Sequence, residues 1–285
     1  MKKISFFLYA FALTGALFTI SCNKDDDDEG SGPSYKKVSA LVYKNYEGNG
    51  SDDSTVFTYD SKGFLTKVEE YEVTGSLKTL EYSYEFQYVK DTVVSVISYE
   101  WNGTTKIADD KDSIGYSKNR IEKFFEFDLI NGKFVKEEDD ITTVSYGANN
   151  LPSRYTYTPT EYLEVEYIGN NVSKTKDYEG GILRRTDTFV YDSKKNPFKG
   201  NPFYMGEFSF HNENNCTSEI DDYSTETNAY EYNSEGYPTK VTTTYTYTDS
   251  KKSGLIHSQL SKLSKMRTKM GSMESSTDVM KIYYK

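Results

Sequence analysis

The chain has 285 residues, a formal net charge of −10 and two cysteines, Cys22 and Cys216. An acidic balance excludes a nucleic-acid partner, because phosphate binding needs concentrated Lys and Arg. Two cysteines exclude a disulfide framework, so the fold must stand on its own packing.

The N-terminus is a processing signal. Lys2 and Lys3 form a positive region, and residues 4–20 are uncharged and mostly apolar. Thr19-Ile20-Ser21-Cys22 then resembles the lipobox of bacterial lipoproteins, with Thr19 in place of the more usual Leu. That chemistry needs small residues before a Cys whose thiol takes a diacylglyceryl group. Residues 1–21 are therefore read as a signal peptide, too short for a membrane span and ending in a cleavage-type site. Cleavage removes Lys2 and Lys3 and no acid, so the charge moves from −10 to −12. With Cys22 lipidated, Cys216 stands alone and no intrachain disulfide can form. Residues 22–34 are an acidic tether. Asn23-Lys24-Asp25 through Glu29 resembles the Lys-then-acidic surface-export signal of Bacteroidetes lipoproteins. Its adjacent carboxylates lack the alternate spacing and Gly turn of a calcium loop.

From residue 35 onward the chain reads as strands. Leu, Ile, Val and Phe supply under a fifth of the residues after position 21, a composition that usually means disorder. The 27 Tyr reverse that expectation. They alternate with polar residues, as in Tyr155-Thr156-Tyr157, Tyr230-Glu231-Tyr232 and Thr242 through Thr248, which places rings on one face of a sheet. Asn102-Gly103 and Asn131-Gly132 predict type I′ hairpin turns, with weaker versions at Asn149-Asn150, Asn170-Asn171 and Gly180-Gly181. A unit repeats around such turns. Tyr59-Asp60-Ser61-Lys62-Gly63-Phe64-Leu65-Thr66-Lys67 is matched by Tyr232-Asn233-Ser234-Glu235-Gly236-Tyr237-Pro238-Thr239-Lys240, and degenerate copies begin at Tyr116, Tyr146, Tyr167 and Tyr191. Their spacing is irregular, which predicts a meander of unequal hairpins.

These units resemble the YD-type hairpin repeats of bacterial surface proteins. Together with Tyr191 through Phe198 and Asn214-Asn215, they make residues 35–285 resemble a Bacteroidetes lipoprotein family of unknown function with a porin-like fold. The resemblance implies one all-β domain, an antiparallel meander forming a curved sheet or a barrel-like, porin-like but soluble body. It implies no activity. Charges at Glu69, Glu70, Glu72 and Glu81 fall on both strand parities, which suits water on both faces and not a lipid-facing wall.

Two segments interrupt the pattern. Lys195 to Phe203 carries Asn-Pro-Phe twice and predicts a crossing loop whose Phe pair caps one end of the core. Residues 250–272 are basic, with Lys251, Lys252, Lys262, Lys265, Arg267 and Lys269, and read as a loop insertion before a last strand at Val279–Tyr284.

Catalytic and metal groupings are missing from the pattern. His211 and His257 are the two histidines and neither has a companion ligand, so no metal or cofactor is expected. No Gly-x-Ser-x-Gly elbow occurs, and Cys216 has no basic neighbour to activate it. Trp101, beside a predicted turn, and Tyr99 on the same face are the candidate ligand-binding residues. Cross-strand packing is the competing reading. Asp53-Ser54-Thr55, Asp91-Thr92-Val93 and Asp112-Ser113-Ile114 resemble O-glycosylation sequons of exported Bacteroidetes proteins. The resulting expectation is a non-enzymatic binding or accessory lipoprotein. It would sit in the outer membrane through Cys22, exposed on the cell surface, with a glycan, peptide or envelope protein as partner. Two alternatives stay open: a structural protein assembling through sheet edges, and a hydrolase with an unrecognised carboxylate pair.

Overall fold

The computed structural model describes residues 36–44, 51–118, 120–205, 210–247 and 275–285. The signal peptide, Cys22, the tether, His257 and the basic segment 250–272 lie outside them. Sixteen strands follow in chain order. The first eight are β1 (Val38–Lys44), β2 (Asp52–Tyr59), β3 (Leu65–Thr74), β4 (Leu77–Val89), β5 (Thr92–Asn102), β6 (Thr105–Ser117), β7 (Arg120–Ile130) and β8 (Lys133–Tyr146). The others are β9 (Pro152–Thr158), β10 (Glu161–Ile168), β11 (Asn171–Glu179), β12 (Ile182–Lys195), β13 (Asn214–Ile220), β14 (Ser224–Tyr232), β15 (Pro238–Tyr247) and β16 (Ser275–Tyr284). Each strand pairs antiparallel with its neighbours in sequence. β1 also pairs with β16, Leu41 opposite Ile282 and Tyr43 opposite Met280, so the sheet closes into a barrel.

Closure settles the choice between curved sheet and barrel. It also leaves no free edge among the described strands, so assembly through sheet edges has no template. The last strand begins four residues before the expected Val279, at Ser275.

All even-to-odd connections lie at one end, here called the base, together with residue 36 and Lys285. The opposite ends of the strands form the rim. Turn chemistry at the rim is conventional. Asn131-Gly132 and Gly180-Gly181 have φ > 0 at both central positions, the type I′ signature. The Asn102-Gly103 expectation needs correction. Asn102 is the last paired residue of β5, opposite Thr105, and the loop is Gly103-Thr104 with φ of 64° at Gly103. That is the Gly-first arrangement of a II′ turn. At the base, Asn170-Asn171 is shifted in the same way, to Gly169-Asn170.

The base is where the repeat unit acts. Asp60 Oδ1 accepts the backbone N–H groups of Lys62 (2.9 Å) and Phe64 (2.8 Å), while Asn233 Oδ1 accepts those of Glu235 and Tyr237 (both 3.0 Å). Gly63 and Gly236 supply the positive φ that both loops require. At seven base connections the register shifts by one residue just before the strand-end Tyr: Tyr59, Tyr88, Tyr116, Tyr146, Tyr167, Tyr191 and Tyr232. The extra residue lies near the start of the next odd strand: Thr66, Val94, Glu122, Ser153, Ser173, Thr217 and Thr239. At Thr66, Ser153, Thr217 and Thr239 its hydroxyl donates to the carbonyl preceding that Tyr.

A bulge of this kind re-aims the following side chain. The Tyr ring turns inward, and its hydroxyl donates across its own hairpin to the carbonyl that opens the previous odd strand. Tyr59 reaches Val38 (2.9 Å), Tyr88 reaches Leu65 (2.9 Å), Tyr116 reaches Val93 (2.7 Å) and Tyr146 reaches Ile121 (2.8 Å). Tyr230 and Tyr284 do the same at Cys216 and Pro238. The strand-opening residues Val38, Leu65, Val93, Ile121, Pro152, Val172 and Pro238 are buried. The base is therefore an apolar floor ringed by Tyr, and the irregular meander expected from sequence is regular at this end.

The β12–β13 connection fills the floor. Asn196 Oδ1 accepts the Phe198 N–H, and its amide donates to the Asn212 carbonyl (both 2.9 Å). Asn201 caps the single 3-10 turn Pro202–Tyr204 by accepting from Phe203 N (3.1 Å). Phe203 then packs edge-on against Phe57 of β2 and Tyr84 of β4, with centroids 5.7 and 5.2 Å apart. Tyr204, Met205 and Phe210 are buried beside it. Because β2 and β4 are remote from β12 in the sheet order, the loop crosses the barrel as an internal plug. Asn212 pins it to the wall, accepting from Val172 N and donating to the Tyr191 hydroxyl (both 2.9 Å).

Candidate functional site

Above the plug, the inward-facing residues change character. β7 shows the sequence of layers: Ile121 and Phe124 toward the base, then Glu126 and Asp128, then Ile130 at the rim. β3 runs Leu65, Val68, Glu70 and Glu72, and β6 brings Asp112 and Asp110 above Ile114. Inward direction follows from register. Val68 pairs with Phe57 and with Tyr84, which hold the plug, and side chains alternate from there.

The acidic band contains like charges in direct opposition. Asp112 pairs with Glu126, Asp110 with Asp128, and Glu219 with Glu226. Such pairs destabilise a sheet. Burial, then the charge of Asp110, pushes Asp112 up to about 7. Burial, with Asp112 and Asp140 next, pushes Glu126 up to about 8. Glu70 rises to about 7 through burial, against the lowering effect of a hydrogen bond from the Tyr84 hydroxyl (3.2 Å). Glu219 rises to about 8 through burial and the charge of Glu226. Glu137 shares hydrogen bonds with Asp140 and Asp128 and also rises to about 8.

Arg185 answers part of this charge. It pairs with Asp187 (2.5 Å), Asp221 (3.1 Å) and Glu219 (3.4 Å) on one side of the barrel. Thr175 donates to the second oxygen of Asp187 (3.1 Å). Asp112 and Glu126 have no hydrogen-bond or ion-pair partner among the described residues. Asp112 is half-buried as a residue, and protein surrounds its carboxyl. Among the described residues no group of three or more His, Cys, Asp or Glu is arranged to hold a metal ion.

The outer wall differs. Lys67–Glu69 (2.6 Å), Lys176–Glu166 (2.6 Å) and Lys240–Glu231 (2.7 Å) are outward ion pairs, as is Lys106–Glu85. A Lys facing lipid at mid-bilayer costs about 2–4 kcal/mol, so this wall suits water. Glu69 points out while Glu70 and Glu72 point in, as their opposite parities require.

Trp101 and Tyr99 do come together, on this outer wall and not in the lumen. The Trp101 indole donates to Ser83 (2.9 Å), which it helps to bury completely. Tyr99 donates to Glu85 (3.3 Å) and carries the Lys106 ammonium 3.6 Å above its ring. Both rings are thus engaged by neighbours on adjacent strands, the arrangement of cross-strand packing. His211 is buried against Phe210, and burial followed by Lys199 holds it well below the usual imidazole range. Burial pushes the Cys216 thiol up to about 12, which leaves it unreactive near neutrality. Of the three sequon-like triplets, Ser54 and Thr55 are buried in β2, Ser113 lies within β6, and Thr92 stands beside a base turn.

Sequence reasoning passed over the acidic band. The signal available was acids two residues apart: Glu70/Glu72, Asp110/Asp112, Glu126/Asp128 and Glu219/Asp221.

The fold and the site define a closed antiparallel β-barrel, plugged at its base and acidic above the plug. No family model matches the chain, and no curated protein matches it. Among solved structures it is similar to a porin-like protein from Bacteroides uniformis, at 13% identity and a TM-score of 0.47, over 89% of this chain and 100% of that one.

Proposed function

We propose that the chain is a non-catalytic binding protein of the bacterial envelope, held at the outer-membrane surface by acyl chains on Cys22, whose acidic cup receives a cationic ligand. The observation that carries this reading is the set of like-charged carboxylate pairs facing one lumen. A cation relieves their repulsion, whereas a neutral glycan leaves it in place. Of the expected partner classes, a basic peptide therefore fits best. The water-compatible outer wall supports anchoring by lipid and not by the barrel. Residue 36 enters at the base, so a tether from Cys22 approaches the barrel from the end opposite the rim.

The facing pair Asp112 and Glu126 bears on hydrolysis as well. An acid/nucleophile division needs one carboxyl held protonated and the other ionised. Here both are pushed in the same direction, which favours binding over catalysis.

Calorimetric titration of the purified full chain with oligolysine, oligoglutamate and a neutral oligosaccharide tests the proposal. Oligolysine alone is expected to bind, more weakly as salt rises and as pH falls below about 7. Absence of oligolysine binding at low salt and pH 8 overturns it.

A further inference from the structure

The rim adds a second chemistry to the acidic cup. Large apolar side chains stand exposed at the rim ends of several strands: Leu77 (66%), Ile107, Ile130, Val135, Ile182 (61%) and Tyr247. They continue the inward-facing series of their strands. Ile107 pairs with Glu100, Val135 with Asp128, and Leu77 with Thr74, two positions above Glu72. An apolar collar thus stands directly above the acids. Val89, Ile168, Leu183, Val190, Ile220 and Tyr283 are exposed elsewhere; what sets the rim group apart is that its members share the inward-facing series above the acids.

We infer that the cup takes an amphipathic cationic peptide, its basic side chains reaching Asp112 and Glu126 and its apolar face seated on the collar. The inference rests on the reading of the lumen as a cation site and adds to it the apolar half of the ligand. Two features select this occupant. The enclosed carboxyls of Asp112 and Glu126 face each other without a hydrogen-bond or ion-pair partner among the described residues, so ionising either one calls for a cation on this side of the barrel. The collar supplies apolar area at the point where the ligand must enter. A second copy of the chain is disfavoured, since mouth-to-mouth docking sets one acidic band against another. An anionic lipid surface is disfavoured for the same reason.

The test uses the purified full chain and three labelled probes: an amphipathic Lys/Leu peptide, its scrambled isomer, and oligolysine of equal charge. The amphipathic peptide is expected to bind at least about tenfold more tightly than oligolysine, from the added apolar burial. In the double variant Leu77→Ser/Ile182→Ser that advantage falls to about twofold while oligolysine affinity is unchanged; both sites are exposed, so the fold is retained. In Asp112→Asn/Glu126→Gln both probes weaken. Equal affinity for the amphipathic peptide and oligolysine, or for the peptide and its scrambled isomer, overturns the collar while leaving the cation site standing. Binding of neither probe overturns both. A dimer in sedimentation that the Leu77→Ser/Ile182→Ser variant dissolves assigns the collar to self-association and also overturns the inference.

Discussion

Tyrosine does at the base what Leu and Val do in most cores. Its ring supplies buried area, and its hydroxyl donates to a backbone carbonyl near the start of an odd strand. Replacing Tyr116 by Phe strands the Val93 carbonyl acceptor and is expected to cost about 1–2 kcal/mol in denaturant unfolding. Tyr167 is the informative comparison. It occupies the same position on β10, but its buried hydroxyl has no hydrogen-bond partner among the described residues. Tyr167→Phe is therefore expected to be neutral or slightly stabilising, and a loss equal to that of Tyr116→Phe contradicts the assignment. The regularity was partly legible. Tyr59 and Tyr232 announced the unit because their Asp or Asn and Gly lie at turn spacing. Tyr88 was missed because its turn, Lys90-Asp91, carries neither the Gly nor the Asn that marks the turns after Tyr116 and Tyr167, and Tyr284 because no turn residues follow it.

At the scale of elements, the plug is the segment on which the floor depends. It was readable as a crossing loop, because Pro197 and Pro202 cannot serve a ladder. That it passes inside the barrel was not readable, since nothing local specifies which side of a sheet a loop crosses. The contacts of Phe203 with Phe57 and Tyr84 decide this. Phe203→Ala is expected to cost about 3–5 kcal/mol, as other large-to-small core changes do. It should also raise hydrogen exchange at Val172, whose amide is held by Asn212 of the same loop. Unchanged stability in that variant means the loop does not support the floor. The rim hairpins follow local rules more loosely. Asn102 was assigned to a turn on its identity, yet cross-strand pairing carried β5 one residue further.

For the whole molecule, the acidic band sets the pH dependence. Asp112, Glu70, Glu126 and Glu219 have folded values of about 7 to 8, against about 4 when unfolded. The folded state therefore holds more protons across that interval. Stability from these groups is fully present below about pH 4 and is lost as pH rises through about 8. The thermal midpoint is expected to fall between pH 5 and pH 8 and then level off. Asp112→Asn should raise stability on the order of 2 kcal/mol at pH 8.5 and far less at pH 5. A midpoint that rises over this range contradicts the placement of the acids in the lumen.

The amino-acid sequence by itself determined the strands and the turn units. Each of these depends on neighbours a few residues apart: alternation for a strand, φ > 0 for a turn. Tertiary structure alone decided closure, the path of the plug and the chemistry of the lumen. Glu70, Asp112, Glu126 and Glu219 lie on four different strands. Alternation places each on one face of its own strand, but only the pairing of β1 with β16 makes those faces a common interior. A face becomes an inside when the sheet closes, and closure is a property of no single segment.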